Sequence, residues 1–227
     1  MVVGAVAFSD FIYSMNERLK NIEKELKNRW DYPYKWFRKQ NDIWDNHTKF
    51  IYEILNWKEL IQAIAALVKN QNLDKKEAFY YAVNRWYNFW SAMAVEEIFC
   101  SLPNVIPAKN NKDRLVDFSI KNVAFDLKTS VFPKGFGESL AFAKANQKQL
   151  LTWLYNNQSS QQRHHFANRL FIIVYSENGA HWKLKAEISF LHQVISNYVT
   201  TFESGQLTSL KFSDNKTTLS DIIWVTR

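Results

Sequence analysis

The sequence predicts an α/β protein, a central mixed sheet flanked by helices and preceded by a helical extension. Three observations predict it. Up to about residue 101, apolar residues recur every three or four positions, the period of amphipathic helices. After Pro103 short runs alternate with period 2, the period of strands. Two stretches of helical period, at about 139–156 and 188–203, lie between those runs, so strands and helices intermingle. The division that follows is a helical extension over 1–74 and a core over 75–227.

The first helix spans about 9–29, with Phe11, Ile12, Met15, Leu19, Ile22 and Leu26 on one stripe and Ser9 or Asp10 as its cap. Pro33 stops the helical run, because the residue before a proline is pushed out of the helical region. Two more helices are expected at 35–56 and 57–70. Asp74, three residues before Glu77, has capping-box spacing and opens a long helix that Pro103 ends near Ser101. Strands are expected at 115–120, 123–129, 169–176, 181–187, 206–212 and 221–226.

Composition bounds the chemistry. Nine Trp, ten Tyr and seventeen Phe in 227 residues argue for a well-filled core. A formal net charge of +7 suits a polyanionic partner. Cys100 is the only cysteine, which excludes an intrachain disulfide and a cysteine-based zinc site. The apolar run Val2–Phe8 has no basic flank and is too short to span a bilayer, and no other stretch reaches about 18 apolar residues. The expectation is a soluble, cytoplasmic protein without a membrane partner.

The sharpest signal lies at 115–128, two strands joined by the two-residue turn Lys121-Asn122. A two-residue loop fixes register, so Ile120 faces Val123, Phe118 faces Phe125 and Val116 faces Leu127. The same register sets Asp117 opposite Asp126, with Lys128 two residues further along. Carboxylates facing across a ladder repel, and a divalent cation between them would remove the repulsion. Hard oxygen ligands of this kind suit Mg²⁺, with the Leu127 carbonyl close by as a further oxygen.

These residues resemble the signature of the PD-(D/E)xK nuclease superfamily, which includes restriction endonucleases and Holliday-junction resolvases. Asp117 matches the first acidic residue and Asp126-Leu127-Lys128 the Asp-x-Lys element. Val116 replaces the signature proline, and Asp126 stands where Glu is frequent. The third part is a carboxylate on the preceding helix. Glu96 fits better than Glu97, because an apolar residue, Phe99, follows three positions later. The resemblance covers about residues 78–176 and implies a restriction-endonuclease-like core. It further implies metal ligation by Glu96, Asp117, Asp126 and the Leu127 carbonyl, with Lys128 assisting catalysis. The cofactor implied is Mg²⁺, with Mn²⁺ as a substitute, and the partners are double-stranded DNA and a second copy of the chain.

Further candidates surround that hairpin. Lys134, in the loop leaving the active strand, is placed as a phosphate contact, as are Arg163 and Arg169. Gln147 and Gln149 are supporting candidates on the next helix, although the position four before Tyr155 is Leu151, not the Gln found in some similar nucleases. His164 and His165 are adjacent, and neighbouring side chains diverge on any regular element. The basic residues Lys20, Lys24, Lys27, Arg29, Lys35, Arg38 and Lys39 read first as a solvated helix face and second as DNA contacts. The expected activity is that of a type II restriction endonuclease or related phage-defence nuclease. Its rivals are a structure-selective junction or repair nuclease and a catalytically silent DNA-binding module.

Overall fold

A computed structural model describes residues 16–108, 116–157, 167–213 and 216–227. Expectations for 9–15, for Leu115 and for Arg163, His164 and His165 therefore lie outside the described residues. The chain forms two compact units. One takes residues up to Val95 together with Lys185–Phe190; the other takes Glu96–Leu184 and Leu191–Arg227.

The first unit is helical: α1 (16–27), α2 (Asp42–His47), α3 (Trp57–Gln71) and most of α4 (Lys75–Ser101). Asp74 caps α4 as its spacing predicts, Oδ1 accepting from the Glu77 N–H at 2.8 Å. The expected helix at 35–56 is instead an irregular run holding α2 and a short 3₁₀ turn, Lys49–Tyr52. The polar side chains of α4 offer that irregular backbone other partners. Asn84 donates to the Lys35 carbonyl (2.7 Å), Arg85 to the Asp45 carbonyl (3.0 Å) and Trp86 to the Ile54 carbonyl (2.8 Å). Backbone carbonyls outside a helix or sheet still need partners, and one long helix supplies them without a continuous helix opposite. Arg29 belongs to the same scheme. It is wholly buried, donating to the Tyr32 carbonyl (2.7 Å), the Pro33 carbonyl (3.0 Å) and Asn84 Oδ1 (2.7 Å). Much of the aromatic content sits here, with Tyr81, Trp86 and Tyr87 almost fully buried on α4.

The second unit is α/β, a six-stranded mixed sheet with helices against it, in the order β1-β2-β3-β4-β6-β5. The strands are β1 (Val105–Pro107), β2 (Phe118–Ile120), β3 (Val123–Val131), β4 (Arg169–Tyr175), β5 (Thr208–Ser213) and β6 (Lys216–Thr226). β1, β2 and β3 pair antiparallel, β3-β4 and β4-β6 parallel, and β5-β6 antiparallel. β4 is central and reads as a continuous apolar run, as a strand buried on both faces does. Leu150, Leu151, Leu154 and Tyr155 of α6 (Gln147–Asn157) cluster with Phe171, Ile173 and Ile222 on one sheet face. α6 is separated from the short α5 (Leu140–Ala145) by a break at Asn146, where one helix over 139–156 is expected.

The strands depart from the sequence reading in two further places. β1 is not foreseen at all, being three residues long and ending on a proline. The segment 181–187 alternates like a strand but forms a 3₁₀ helix, His181–Ala186. Both edges of the parallel neighbour β4 are already taken by β3 and β6. A turn at Asn178–Gly179, with Gly179 at φ 77° and His181 Nδ1 accepting from the Ser176 N–H at 2.8 Å, bends the chain away instead. Helix α7 (Ile188–Thr201) follows, its first three residues in the first unit and the rest in the second. Among the described residues no helix is long and apolar enough to cross a membrane.

Candidate active site

The hairpin forms with the register its turn dictates: Phe118 pairs with Phe125, Ser119 with Ala124 and Ile120 with Val123. Lys121 and Asn122 both take positive φ, 44° and 69°, as a tight two-residue hairpin requires. Helix α4 is pinned beside it by Phe99, whose ring stacks on Phe118 at 4.4 Å and 17°. That stack holds the preceding turn of α4, where Glu96 lies half-buried.

The ladder does not continue straight to Asp117. Its N–H bonds the Phe125 carbonyl at 2.8 Å, the residue that already pairs with Phe118, so β2 slips by one position there. The carboxylate of Asp117 then does the work of the missing backbone carbonyl, Oδ2 accepting from the Leu127 N–H at 2.6 Å. Asp117 and Asp126 are thus not cross-strand partners, as an unbroken register would have made them. Asp117 lies against the β3 backbone, near enough to Glu96 to disturb it. Burial first, and then the negative charge of Asp117, push the Glu96 carboxyl above its usual range. The neighbouring Cys100 thiol is pushed up to about 11, chiefly by burial and then by Glu96 and Asp117.

Asp126 has a different environment. It is 5% exposed, and the parallel register sets it beside Arg169, itself 6% exposed. Arg169 Nε donates to Asp126 Oδ2 at 3.1 Å, and the guanidinium lies 4.8 Å from the Tyr155 ring centroid. Asp126 Oδ1 accepts from Lys128 Nζ, which also donates to the Leu127 carbonyl at 3.3 Å. A phosphate contact would need Arg169 on the surface. The structure buries it as the partner of a carboxylate.

The other candidates are scattered. Lys134 is exposed in the short 3₁₀ turn after β3. The next residue, Gly135, lies where an added Cβ would stand 3.1 Å from the Trp153 ring, so the turn is held close to α6. Gln147 donates to Asp221 Oδ1 at 2.6 Å, while Gln149 is exposed. Asp221 was not foreseen. It is buried on β6 and also accepts from the Ile222 N–H (2.8 Å), Tyr198 (2.9 Å) and Gln206 (2.8 Å). Asn168, which precedes Arg169, was not foreseen either. Its Nδ2 donates to the Ala124 carbonyl (3.2 Å) and its Oδ1 accepts from the Leu219 N–H (2.8 Å), tying β3 and β6 across the head of β4.

Among the described residues no three His, Cys, Asp or Glu side chains converge in a group that could hold a metal ion as they stand. The donor chemistry nonetheless fits a hard cation. Glu96 and Asp117 are two carboxylates in a half-buried place, and burial first, then the charge of Asp117, disfavours the ionised Glu96 that a cation would stabilise. Two carboxylates, a backbone carbonyl and several waters are a common Mg²⁺ shell. Asp126 adds its Oδ1 only if Lys128 moves aside. No family model matches the chain, and neither a curated protein nor a solved structure matches it.

Proposed function

We propose that the chain is a Mg²⁺-dependent endonuclease of the restriction-endonuclease-like type, hydrolysing phosphodiester bonds of double-stranded DNA. The observation that carries this reading is that Asp117 and Lys128 both bond the Leu127 backbone, Lys128 also holds Asp126, and Glu96 lies close enough to Asp117 to feel its charge. The order of elements supports it: a Glu-bearing helix, a tight hairpin with both aspartates, a helix, then a parallel strand. Type II restriction or phage defence is the role this reading favours, acting as a homodimer when both strands are cut.

Glu96, Asp117, Asp126 Oδ1 and the Leu127 carbonyl would hold the metal. A bound divalent cation supplies charge to offset the phosphoryl oxygens and lowers the pKa of an attacking water. Asp117 fixes the Leu127 peptide through its N–H, which keeps the next carbonyl in place. Arg169 anchors Asp126 Oδ2 and fixes the plane of that carboxylate. Lys128, once moved aside from Asp126 Oδ1, would donate to a phosphate oxygen and stabilise charge there. Lys134 is an exposed candidate for the flanking phosphate.

One observation favours a second reading. Asp126 is already matched by Lys128 and Arg169, so the hairpin is charge-balanced without a metal, as a silent DNA-binding module would be. One assay separates the readings. Plasmid, linear and branched DNA are incubated with Mg²⁺ or Mn²⁺ and wild-type protein, Asp126→Ala or Asp126→Asn. Cleavage by wild type and none by either variant, with DNA binding retained, is the expected result. Cleavage by Asp126→Asn sinks the site assignment, and tight binding without cleavage of any substrate establishes the silent module. Discrete plasmid fragments mark sequence-specific cutting; cleavage of branched DNA alone marks a structure-selective nuclease.

A further inference from the structure

The two cations that hold Asp126 are not equivalent. Arg169 is enclosed: its side chain is 8% exposed, its guanidinium lies against Tyr155, and its carbonyl accepts from Ser220 Oγ at 2.7 Å. A planar guanidinium packed in this way has nowhere to go. The Lys128 side chain is 42% exposed and carries its charge on a flexible four-carbon stem. Its ammonium bonds Asp126 Oδ1 and the Leu127 carbonyl. Those are two of the oxygens that the proposed function gives to a divalent cation. An ammonium and a divalent cation cannot share one carboxylate oxygen at contact distance, because like charges in a poorly solvated place repel strongly.

We propose that Lys128 stands in for the metal. In the free protein its ammonium occupies the cation position between Asp126 Oδ1 and the Leu127 carbonyl. A divalent cation displaces it outward, while Arg169 keeps Asp126 Oδ2 throughout. The inference rests on the nuclease reading and adds an exchange to it: one ammonium leaves as one metal ion enters. Without the lysine, half of a buried carboxylate would face the empty site unpaired, which is costly. With it, Asp126 stays matched in both states, and metal affinity is lowered by the work of moving the lysine. The released ammonium is then free for the phosphate oxygens, so Lys128 becomes available only when the metal is present.

Two measurements that do not depend on cleavage test the exchange. Calorimetric titration with Ca²⁺ and with Mn²⁺ compares wild type with Lys128→Met, using Lys134→Met as the control for removing one exposed positive charge elsewhere on the chain. The exchange predicts about tenfold tighter binding by Lys128→Met and no more than about twofold by Lys134→Met, tenfold being about 1.4 kcal/mol. In wild-type protein, acetylation of the Lys128 amine, read by peptide mass spectrometry, should quicken severalfold when Ca²⁺ is added. If Lys128→Met binds no more tightly than the control, or the labelling rate does not change, the stand-in role is overturned and the nuclease reading survives. If neither wild type nor Lys128→Met binds either cation, the metal itself is lost, and the proposed function falls with the exchange.

Discussion

At the scale of single residues, the Asp126–Arg169 pair decides most. Removing one member of a buried pair leaves an uncompensated charge, whereas replacing both by apolar groups is often neutral. Arg169→Met should therefore cost about 3–5 kcal/mol in urea unfolding. The double variant Asp126→Leu with Arg169→Met should recover most of that loss. Additive losses in the double variant would show that the pair does not act as a unit. The sequence made the hairpin legible because a two-residue turn sets register within ten residues. It left the Arg169 pairing hidden because β3 and β4 are parallel, and their register is set by a crossover of some 37 residues with no local signal. The slip at Asp117 was hidden for another reason. Alternation continues through it, and it shows only in the bond of the Asp117 N–H to the Phe125 carbonyl and of the Leu127 N–H to the Asp117 carboxylate. Cys100, with its thiol pushed up to about 11, should react slowly with iodoacetamide at pH 7.5, since the thiolate is the nucleophile. Alkylation as fast as that of a free thiol would contradict its burial.

At the scale of elements, caps and turns were legible and irregular backbone was not. Asp74 and Lys121-Asn122 act where their local chemistry says they should. The stretch 35–56 has helical composition but takes its partners from α4, which no local pattern encodes. The start of α7 depends on a distant residue in the same way. Glu23 of α1 accepts from the Ser189 N–H (2.8 Å) and hydroxyl (2.6 Å), and from Lys27 at 2.5 Å. Burial alone would raise the Glu23 carboxyl, but the bonds to Lys27 and Ser189 outweigh it and hold the group below its ordinary 4.5. A carboxyl lowered on folding adds stability that is present above 4.5 and is lost as pH falls through the folded value. Glu23→Gln should cost about 1–2 kcal/mol at pH 7, the scale of hydrogen bonds to a charged group. The gap from wild type should close in acid denaturation below pH 4.5. A gap that persists at pH 3 would mean that Glu23 acts through packing.

At the scale of the whole molecule, the compact units divide at three points, all inside helical turns: Val95–Glu96 in α4, Leu184–Lys185 in the 3₁₀ helix and Phe190–Leu191 in α7. Ala92 is exposed on α4, so Ala92→Pro removes a backbone bond without removing packing. A loss of about 3 kcal/mol or more in the main unfolding transition is expected, because the ring also clashes with the preceding turn. A net charge of +7 belongs to this scale as well. If duplex DNA is bound through as few as two phosphates, a fourfold rise in salt should weaken binding about tenfold. Salt-insensitive binding would remove the polyanion from the reading. The fold class was legible because periodicity survives over whole helices and strands. The order of strands was not, since β1 is too short to show alternation and residues 181–187 show it falsely. The amide of Asn168 carries a consequence of its own, because it has a direction: a donor towards Ala124 and an acceptor towards Leu219. It serves as one extra rung beyond the end of β4, built from a side chain in place of a peptide. Aspartate, nearly the same shape, would turn two attractions into one attraction and one repulsion. A single atom exchanged for another would therefore open the sheet at the row that seats Asp126.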